Sequence, residues 1–236
     1  MRMEESKMRI LKSIFILLNV ATIMIFLYSE NRLTWFCGAN AVLLYLLSCA
    51  IHLIAHESGH FLGGVISGYK LVCLRFGPIS IICKNNRFIL KWKFSLTGQC
   101  IMTPQHINPV RFKAYNSGGI WANALIAIFS FTLLLFNSFW TSLLFIEMVS
   151  IGISKILVNA IPHKTNEIPN DGYTLKLLKT SIAVQKDYAT YLRLYGKLFF
   201  NEEISAKDYI YKREVSQNTD EMLYYNEIQD ILSSLE

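Results

Sequence analysis

One run of this sequence, from Leu33 to Ala55, contains no Asp, Glu, Lys or Arg. An apolar run of about 20 residues is long enough to cross a bilayer as a helix. The composition agrees, because 53% of the residues are apolar, 17% are charged and the mean hydropathy is +0.33. These values are typical of a polytopic membrane protein with some soluble sequence attached.

Four apolar runs are candidate membrane spans: Ile10–Tyr28, Leu33–Ile66, Ala114–Phe136 and Phe139–Ile161. The first run has a basic start, as a signal peptide does, but its exit FLYSENR lacks a small-residue cleavage site. We therefore expect a retained span. The predicted fold is an all-α polytopic membrane protein of about four transmembrane helices, with a small cytoplasmic β-hairpin and a cytoplasmic helical tail. Its parts are an N-terminal span (residues 1–32), a core (33–175) and the tail (176–236).

The distribution of basic residues predicts which loops are cytoplasmic. The segment 69–113 carries eight Lys or Arg residues and no acidic residue, and the N-terminus is also basic. Cytoplasmic loops of membrane proteins are enriched in Lys and Arg, so this segment and both termini are expected in the cytoplasm. The net charge of +6 then reflects topology, and we expect the lipid bilayer rather than nucleic acid as a partner.

Within the large loop the hydrophobic pattern changes from a helical to an extended period. Residues 87–94, RFILKWKF, alternate over part of their length, and KNN at 84–86 is a turn signal. This predicts a β-hairpin beside the membrane, with a third strand as an option. Either the hairpin packs over the loop, or its edge captures an extended peptide. The tail shows helical spacing and is a candidate surface for a cytoplasmic partner.

The stretch HESGH matches H-E-x-x-H and directly follows the charge-free run Leu33–Ala55. On a helix, His56 and His60 share one face, so their imidazoles can hold one zinc ion. Glu57 can then act as a general base toward water activated by the metal. His52 extends the row by one turn, too far along the axis to join the same ion easily, and is expected to be a hydrogen-bonded core histidine.

A catalytic zinc site needs a third protein ligand and one open position. Asp171 is the first aspartate of the chain, and it follows the last apolar run in a segment where proline and glycine break the helix. We favour Asp171 as this ligand. Other candidates are Glu147, expected toward the far face, and His163 and Glu167, which stay open.

Taken together, these residues resemble the site-2 protease family of intramembrane zinc metalloproteases, in a small bacterial form without a PDZ-like domain. HESGH lies in an apolar span, SGGIWANALIAI (117–128) is similar to the family's glycine-then-asparagine segment, and NAIP…NDG (159–172) is similar to its asparagine–proline–aspartate–glycine motif. The resemblance covers about residues 33–175. Two features depart from the family: the twelve-residue separation between the asparagine and the aspartate, and a glycine segment without the common proline.

The resemblance implies a set of roles. The zinc ligands would be His56, His60 and Asp171, with Glu57 as the base. Asn159 and Asn123 would belong to the surroundings of the active site. The implied function is hydrolysis of a peptide bond in a membrane-spanning or signal-like peptide, in a bacterial cell membrane. The alternative is a non-catalytic zinc-binding adaptor or immunity protein.

Overall fold

The computed structural model describes residues 2–85, 87–106, 110–136, 138–165, 168–205 and 220–234. The protein is mostly helical with a small antiparallel sheet, in agreement with the predicted helical fold, and the sheet has more strands than the predicted hairpin. The chain divides into two compact units. One comprises Met1–His56 and Gly119–Tyr173, and the other comprises Glu57–Gly118 and Thr174–Glu236.

Among the residues that the structure describes, three helices are long and apolar enough to cross a membrane. They belong to α1 (Arg2–Ser29), α2 (Trp35–Ile66) and α4 (Phe139–Ala160). Helix α3 (Lys113–Leu133), followed by a 3₁₀ turn at Leu134–Phe136, begins with the polar and small residues KAYNSGG, which lower its overall apolarity. Three of the four predicted spans are therefore confirmed as candidates by length and composition. The remaining one, Ala114–Phe136, stays a prediction.

The first unit packs α1 against α4 through both apolar and polar contacts. Leu27 of α1 and Leu143 of α4 are buried in one cluster, together with Cys37 and Ala41 of α2. The amide of Asn19 donates to Ser154 at 3.3 Å and accepts a hydrogen bond from Ser150. A buried amide in an apolar helix is costly unless it is hydrogen-bonded, so this contact fixes how α1 sits on α4.

The second unit contains a four-stranded antiparallel sheet in the order β3-β2-β1-β4. The strands are β1 (Tyr69–Phe76), β2 (Ile79–Lys84), β3 (Arg87–Trp92) and β4 (Gly98–Pro104). The predicted hairpin corresponds to β2 and β3, whereas β4 returns to pair with β1. Its sequence GQCIMTP lacks a clear two-residue alternation, which is why the pattern did not reveal it.

One edge of the sheet exposes a row of large apolar side chains. In β3, Phe88, Leu90 and Trp92 are each more than 70% exposed, and they alternate with Arg87, Ile89 and Lys91. Successive side chains of a strand point to opposite faces, so the apolar and the mainly basic residues of β3 lie on different sides. Strand β3 therefore presents an exposed apolar face.

The tail is helical as predicted, with α5 (Asp171–Leu177), α6 (Ile182–Phe199) and α7 (Leu223–Ser233). Helix α6 approaches β4 at Gly196, where a Cβ atom would lie 2.4 Å from Cγ2 of Thr103. Rings of Tyr188 and Tyr191 in α6 contact Tyr224 of α7. The tail thus packs on the sheet of its own unit.

Helices α2 and α3 meet at glycine residues that leave no room for a side chain. A Cβ atom on Gly118 of α3 would lie 2.1 Å from the carbonyl oxygen of Gly59 in α2. A Cβ atom on Gly63 of α2 would lie 2.0 Å from the carbonyl oxygen of Ala114 in α3. Both obstacles are backbone atoms, so a larger residue would have to push the two helices apart.

We therefore expect Gly118→Ala to lower the free energy of unfolding by about 1–3 kcal/mol, the range for overpacking a close contact. Thermal unfolding of the purified protein in detergent measures this. Gly38→Ala is the matched control, because a Cβ atom there meets nothing within 4 Å and alanine is favoured over glycine in a helix. Equal stability of Gly118→Ala and wild type would contradict the close packing of α2 on α3.

Candidate metal centre

The two histidines of HESGH lie one turn apart on the continuous helix α2. Nδ1 of His60 lies 2.7 Å from the backbone carbonyl oxygen of Tyr115 in α3. Because a carbonyl oxygen can only accept a hydrogen bond, the proton of His60 sits on Nδ1 and its Nε2 carries the lone pair that can bind a metal. The close approach of α3 at Gly118 brings this carbonyl within reach.

His56 has its partners in the first unit. Its Nε2 lies 3.3 Å from Oδ2 of Asp171, and its Nδ1 lies 3.2 Å from the side-chain amide nitrogen of Asn123 in α3. The same amide contacts His52, whose Nδ1 lies 3.0 Å from the Asn123 oxygen. The prediction that His52 is a hydrogen-bonded core residue is confirmed. Asn123 contacts both His52 and His56, and its place in the surroundings of an active site stays a prediction.

The long separation between Asn159 and Asp171 is taken up by a small excursion of the chain. Two short paired strands, β5 (Lys164–Thr165) and β6 (Ile168–Pro169), form it. Asn170 connects the two ends of this excursion, because its side-chain amide nitrogen lies 2.7–3.1 Å from the carbonyl oxygens of Val158, Asn159 and Ile161. The next residue, Asp171, is thereby held against the end of α4.

Asn170 also starts the helix that follows. Its side-chain oxygen accepts a hydrogen bond from the backbone N–H of Tyr173 at 2.9 Å, which is the geometry of a helix N-cap. Gly172 is required at the contact with α4, since a Cβ atom there would lie 2.2 Å from the carbonyl oxygen of Ala160. Sequence reasoning missed Asn170, although an asparagine directly before a helix is a recognised capping signal.

His56, His60 and Asp171 form a group that can hold a metal ion. Each offers one ligand atom, and these atoms all lie within 4.8 Å of one another. Two imidazole nitrogens and one carboxylate oxygen form a ligand set found in catalytic zinc sites, which keep a further position open for water or substrate. The predicted trio is therefore brought together, and its donor chemistry fits the implied ion.

Glu57 lies next to this group in sequence and is 7% exposed. Its carboxylate packs on the start of β4, where a Cβ atom on Gly98 would lie 2.4 Å from Oε1 of Glu57. Burial, and next the neighbouring Glu57 carboxylate, raise the pKa of the Cys100 thiol in the same strand. Glycine at position 98 thus leaves the space that the Glu57 side chain occupies.

Among the described residues, the group does not include two of the other candidates, Glu147 and His163. Glu147 is buried in α4, and among the described residues its carboxylate oxygens have no hydrogen-bond partner. His163 contacts Asn170 at 2.9 Å and helps to form the base of the excursion. Glu167 lies outside the described residues.

Asn159 is involved through its backbone rather than its side chain. Its side-chain amide donates to the carbonyl oxygen of Lys155 within α4, whereas its own carbonyl oxygen contacts the amide of Asn170. Asn159 therefore contributes to the anchoring of Asp171 through its main chain.

In comparisons with known proteins, no protein-family model, curated protein or solved structure matches this chain.

We expect the purified protein to bind one zinc ion and Asp171→Asn to bind it much more weakly. The loss should exceed the roughly 10–100-fold that outer-shell partners of a metal site contribute, because a direct ligand is removed. Chelator competition measures the affinity. Glu147→Gln is the matched control, since it neutralises a buried carboxylate outside the group. Equal affinity of Asp171→Asn and wild type would exclude Asp171 as a ligand.

Asn170→Ala should weaken zinc binding by about 10–100-fold, because Asp171 loses the contacts that position it. The lost N-cap should also lower the free energy of unfolding by about 0.5–2 kcal/mol. Chelator competition and thermal unfolding measure the two effects. Asn40→Ala is the control, because the Asn40 amide donates to the carbonyl oxygen of Phe36 in its own helix. Unchanged zinc affinity would show that Asp171 is positioned without Asn170.

Proposed function

We propose that this chain is an intramembrane zinc metalloprotease that hydrolyses peptide bonds of a membrane-embedded or signal-like peptide, as the resemblance to site-2 proteases implies. The single observation that carries the proposal is the group His56, His60 and Asp171, with Glu57 next to it on the same helix. The helix that carries this group, α2, is itself a candidate membrane span. Ionisable residues in such a span mark a functional site by default.

Zinc is the ion that the ligand set favours. Imidazole nitrogen and carboxylate oxygen are its usual ligands at catalytic sites, and three protein ligands leave a coordination position for the reaction. When bound, zinc would acidify water and polarise the carbonyl group of the substrate.

Glu57 is the residue we assign to proton transfer. Its carboxylate accepts the proton of the attacking water as the new carbon–oxygen bond forms, and it then delivers that proton to the amine nitrogen as the carbon–nitrogen bond breaks. The proton taken from water thus leaves with the amine product, and the carboxylate of Glu57 is restored for the next cycle. Its burial against Gly98 holds the side chain in place and limits the access of bulk water.

The sheet offers an edge at which the substrate can bind. Strand β4 pairs with β1 alone in the sheet order, and its first residue, Gly98, lies against Glu57. A transmembrane helix hides its peptide bonds in hydrogen bonds, so a substrate must unwind before cleavage. We propose that the unwound segment pairs with the edge of β4, which presents its peptide bonds beside Glu57.

For the position in the cell, we propose a multi-pass protein of a bacterial membrane with both termini in the cytoplasm. The support is the excess of basic residues in 69–113 and at the N-terminus. The exposed apolar row of β3 supports a place for the sheet at the membrane surface. The tail is a candidate for binding a cytoplasmic partner.

Glu57→Gln tests the proposal. We expect the variant to keep its zinc but to lose about 10²–10⁴-fold of its cleavage rate, the usual contribution of a general base. Zinc content is measured on the purified protein. Cleavage is measured on a labelled single-span peptide with a glycine- and proline-interrupted apolar run, in proteoliposomes. Peptides that accumulate intact in cells expressing Glu57→Gln are identified by mass spectrometry.

Gly98→Ala is a second arm of the test. Its Cβ atom would meet side-chain atoms of Glu57 rather than backbone, so the fold should survive while the carboxylate is displaced. We expect reduced cleavage with normal zinc content. If zinc-loaded Glu57→Gln cleaves as fast as wild type, the proposed mechanism fails. If wild type binds zinc but changes no membrane peptide in vitro or in cells, the non-catalytic adaptor is the better explanation.

A further inference from the structure

We propose that His52 is a positioning residue for the metal centre: through Asn123 it selects the protonation pattern of His56 that can bind a metal ion. The inference rests on the metal site of the proposed function. It concerns a histidine outside the H-E-x-x-H pattern, one turn before it on α2. His52 is 0% exposed and Asn123 is 1% exposed, so neither residue can exchange its partners for water.

The first step is the protonation of His52. Its Nε2 lies 2.8 Å from the backbone carbonyl oxygen of Met148 in α4, and a carbonyl oxygen can only accept. The proton of His52 is therefore on Nε2. With its proton on Nε2, the imidazole of His52 presents the lone pair of Nδ1, an acceptor, to Asn123.

The ring of His52 is seated in a space shaped for it. A Cβ atom on Gly152, one turn after Met148 in α4, would lie 2.8 Å from Cε1 and 3.2 Å from Nε2 of His52. Glycine at this position lets the ring reach the carbonyl of Met148. The bond that fixes the proton on Nε2 thus depends on the packing of α2 against α4 in the first unit.

The second step is the orientation of the Asn123 amide. Its oxygen and nitrogen have nearly the same shape, so the hydrogen-bond network decides which end faces which partner. As placed in the structure, the Asn123 oxygen faces Nδ1 of His52 and the Asn123 nitrogen faces Nδ1 of His56. Two acceptors would then oppose each other at His52. A half-turn of the amide removes this conflict, since the NH₂ group then donates to His52.

The third step is the state of His56. With the amide turned, the Asn123 oxygen accepts from Nδ1–H of His56, which leaves the lone pair on Nε2. That nitrogen faces Asp171 at 3.3 Å and is the one placed to bind the ion. In the opposite orientation Asn123 donates to Nδ1 of His56, so the proton of His56 lies on Nε2. The Nε2–H group then points at Asp171, and Nε2 has no lone pair for a metal ion.

His60 needs no such selection, because the backbone carbonyl of Tyr115 fixes its proton on Nδ1. An asparagine side chain can donate or accept, so His56 depends on a further residue to decide between the two orientations. His52, itself fixed by the carbonyl of Met148, supplies that decision. The proton arrangement of the site is thereby set by backbone carbonyls at both histidines.

Zinc affinity of the full-length protein, measured by chelator competition at one fixed pH, tests the proposal. We expect His52→Leu and His52→Phe, which both remove the acceptor but differ in size, to weaken zinc binding by about 10–100-fold. His52→Asn should restore most of the affinity, because its side-chain oxygen can take the place of Nδ1. Ser48→Ala is the control, since Ser48 is buried one turn earlier on α2 and its hydroxyl has no hydrogen-bond partner among the described residues.

A double-mutant cycle separates this role from a general loss of packing. In an Asn123→Leu background, His52→Leu should cause no further loss of zinc affinity, because His52 acts through Asn123. The proposal would be overturned if the loss of zinc affinity in the double variant equalled the product of the losses in the two single variants. It would also be overturned if both His52→Leu and His52→Phe kept the zinc affinity of the wild type. Failure of the wild type to bind zinc would refute the proposed metal centre itself, whereas zinc binding without cleavage would refute only the protease function.

Discussion

The contact between α2 and α3 at their glycine residues is the constraint on which the site depends. Because Gly118 and Gly63 carry no side chain, the two backbones approach within van der Waals distance. Only at that distance can the carbonyl of Tyr115 hydrogen-bond to His60. Asn123, on the same helix as Tyr115, contacts His56. A single neighbouring helix thus provides the partner of both histidines, one from its backbone and one from a side chain.

Several buried polar groups in these apolar helices hydrogen-bond to a group on a neighbouring helix. The pairs Asn19–Ser154 and His52–Met148 are examples, and in each a group on one helix is held by a group on another. In an apolar environment a missing partner is expensive, so such pairs specify which helices pack and in which register. Glu147 is the contrast, a buried carboxyl group that has no hydrogen-bond partner among the described residues.

The sequence was sufficient to predict the three residues that can hold a metal. Helical periodicity places His56 and His60 on one face, and the scarcity of acidic residues led to Asp171. It was not sufficient for the contacts around them. The role of Asn170 depends on three carbonyl groups at the end of α4, and the pairing of β4 with β1 depends on residues that are distant in the chain. Periodicity within one segment contains no information about such partners.

The separation of the ligands along the chain has a consequence for biosynthesis. His56 and Asp171 are more than a hundred residues apart, and the last candidate span lies between them. While the chain is being made, the two histidines exist without their carboxylate until every candidate span has been synthesised. A chain that ends before Asp171 therefore lacks one residue of the group, and the group can form only after the last candidate span has been made.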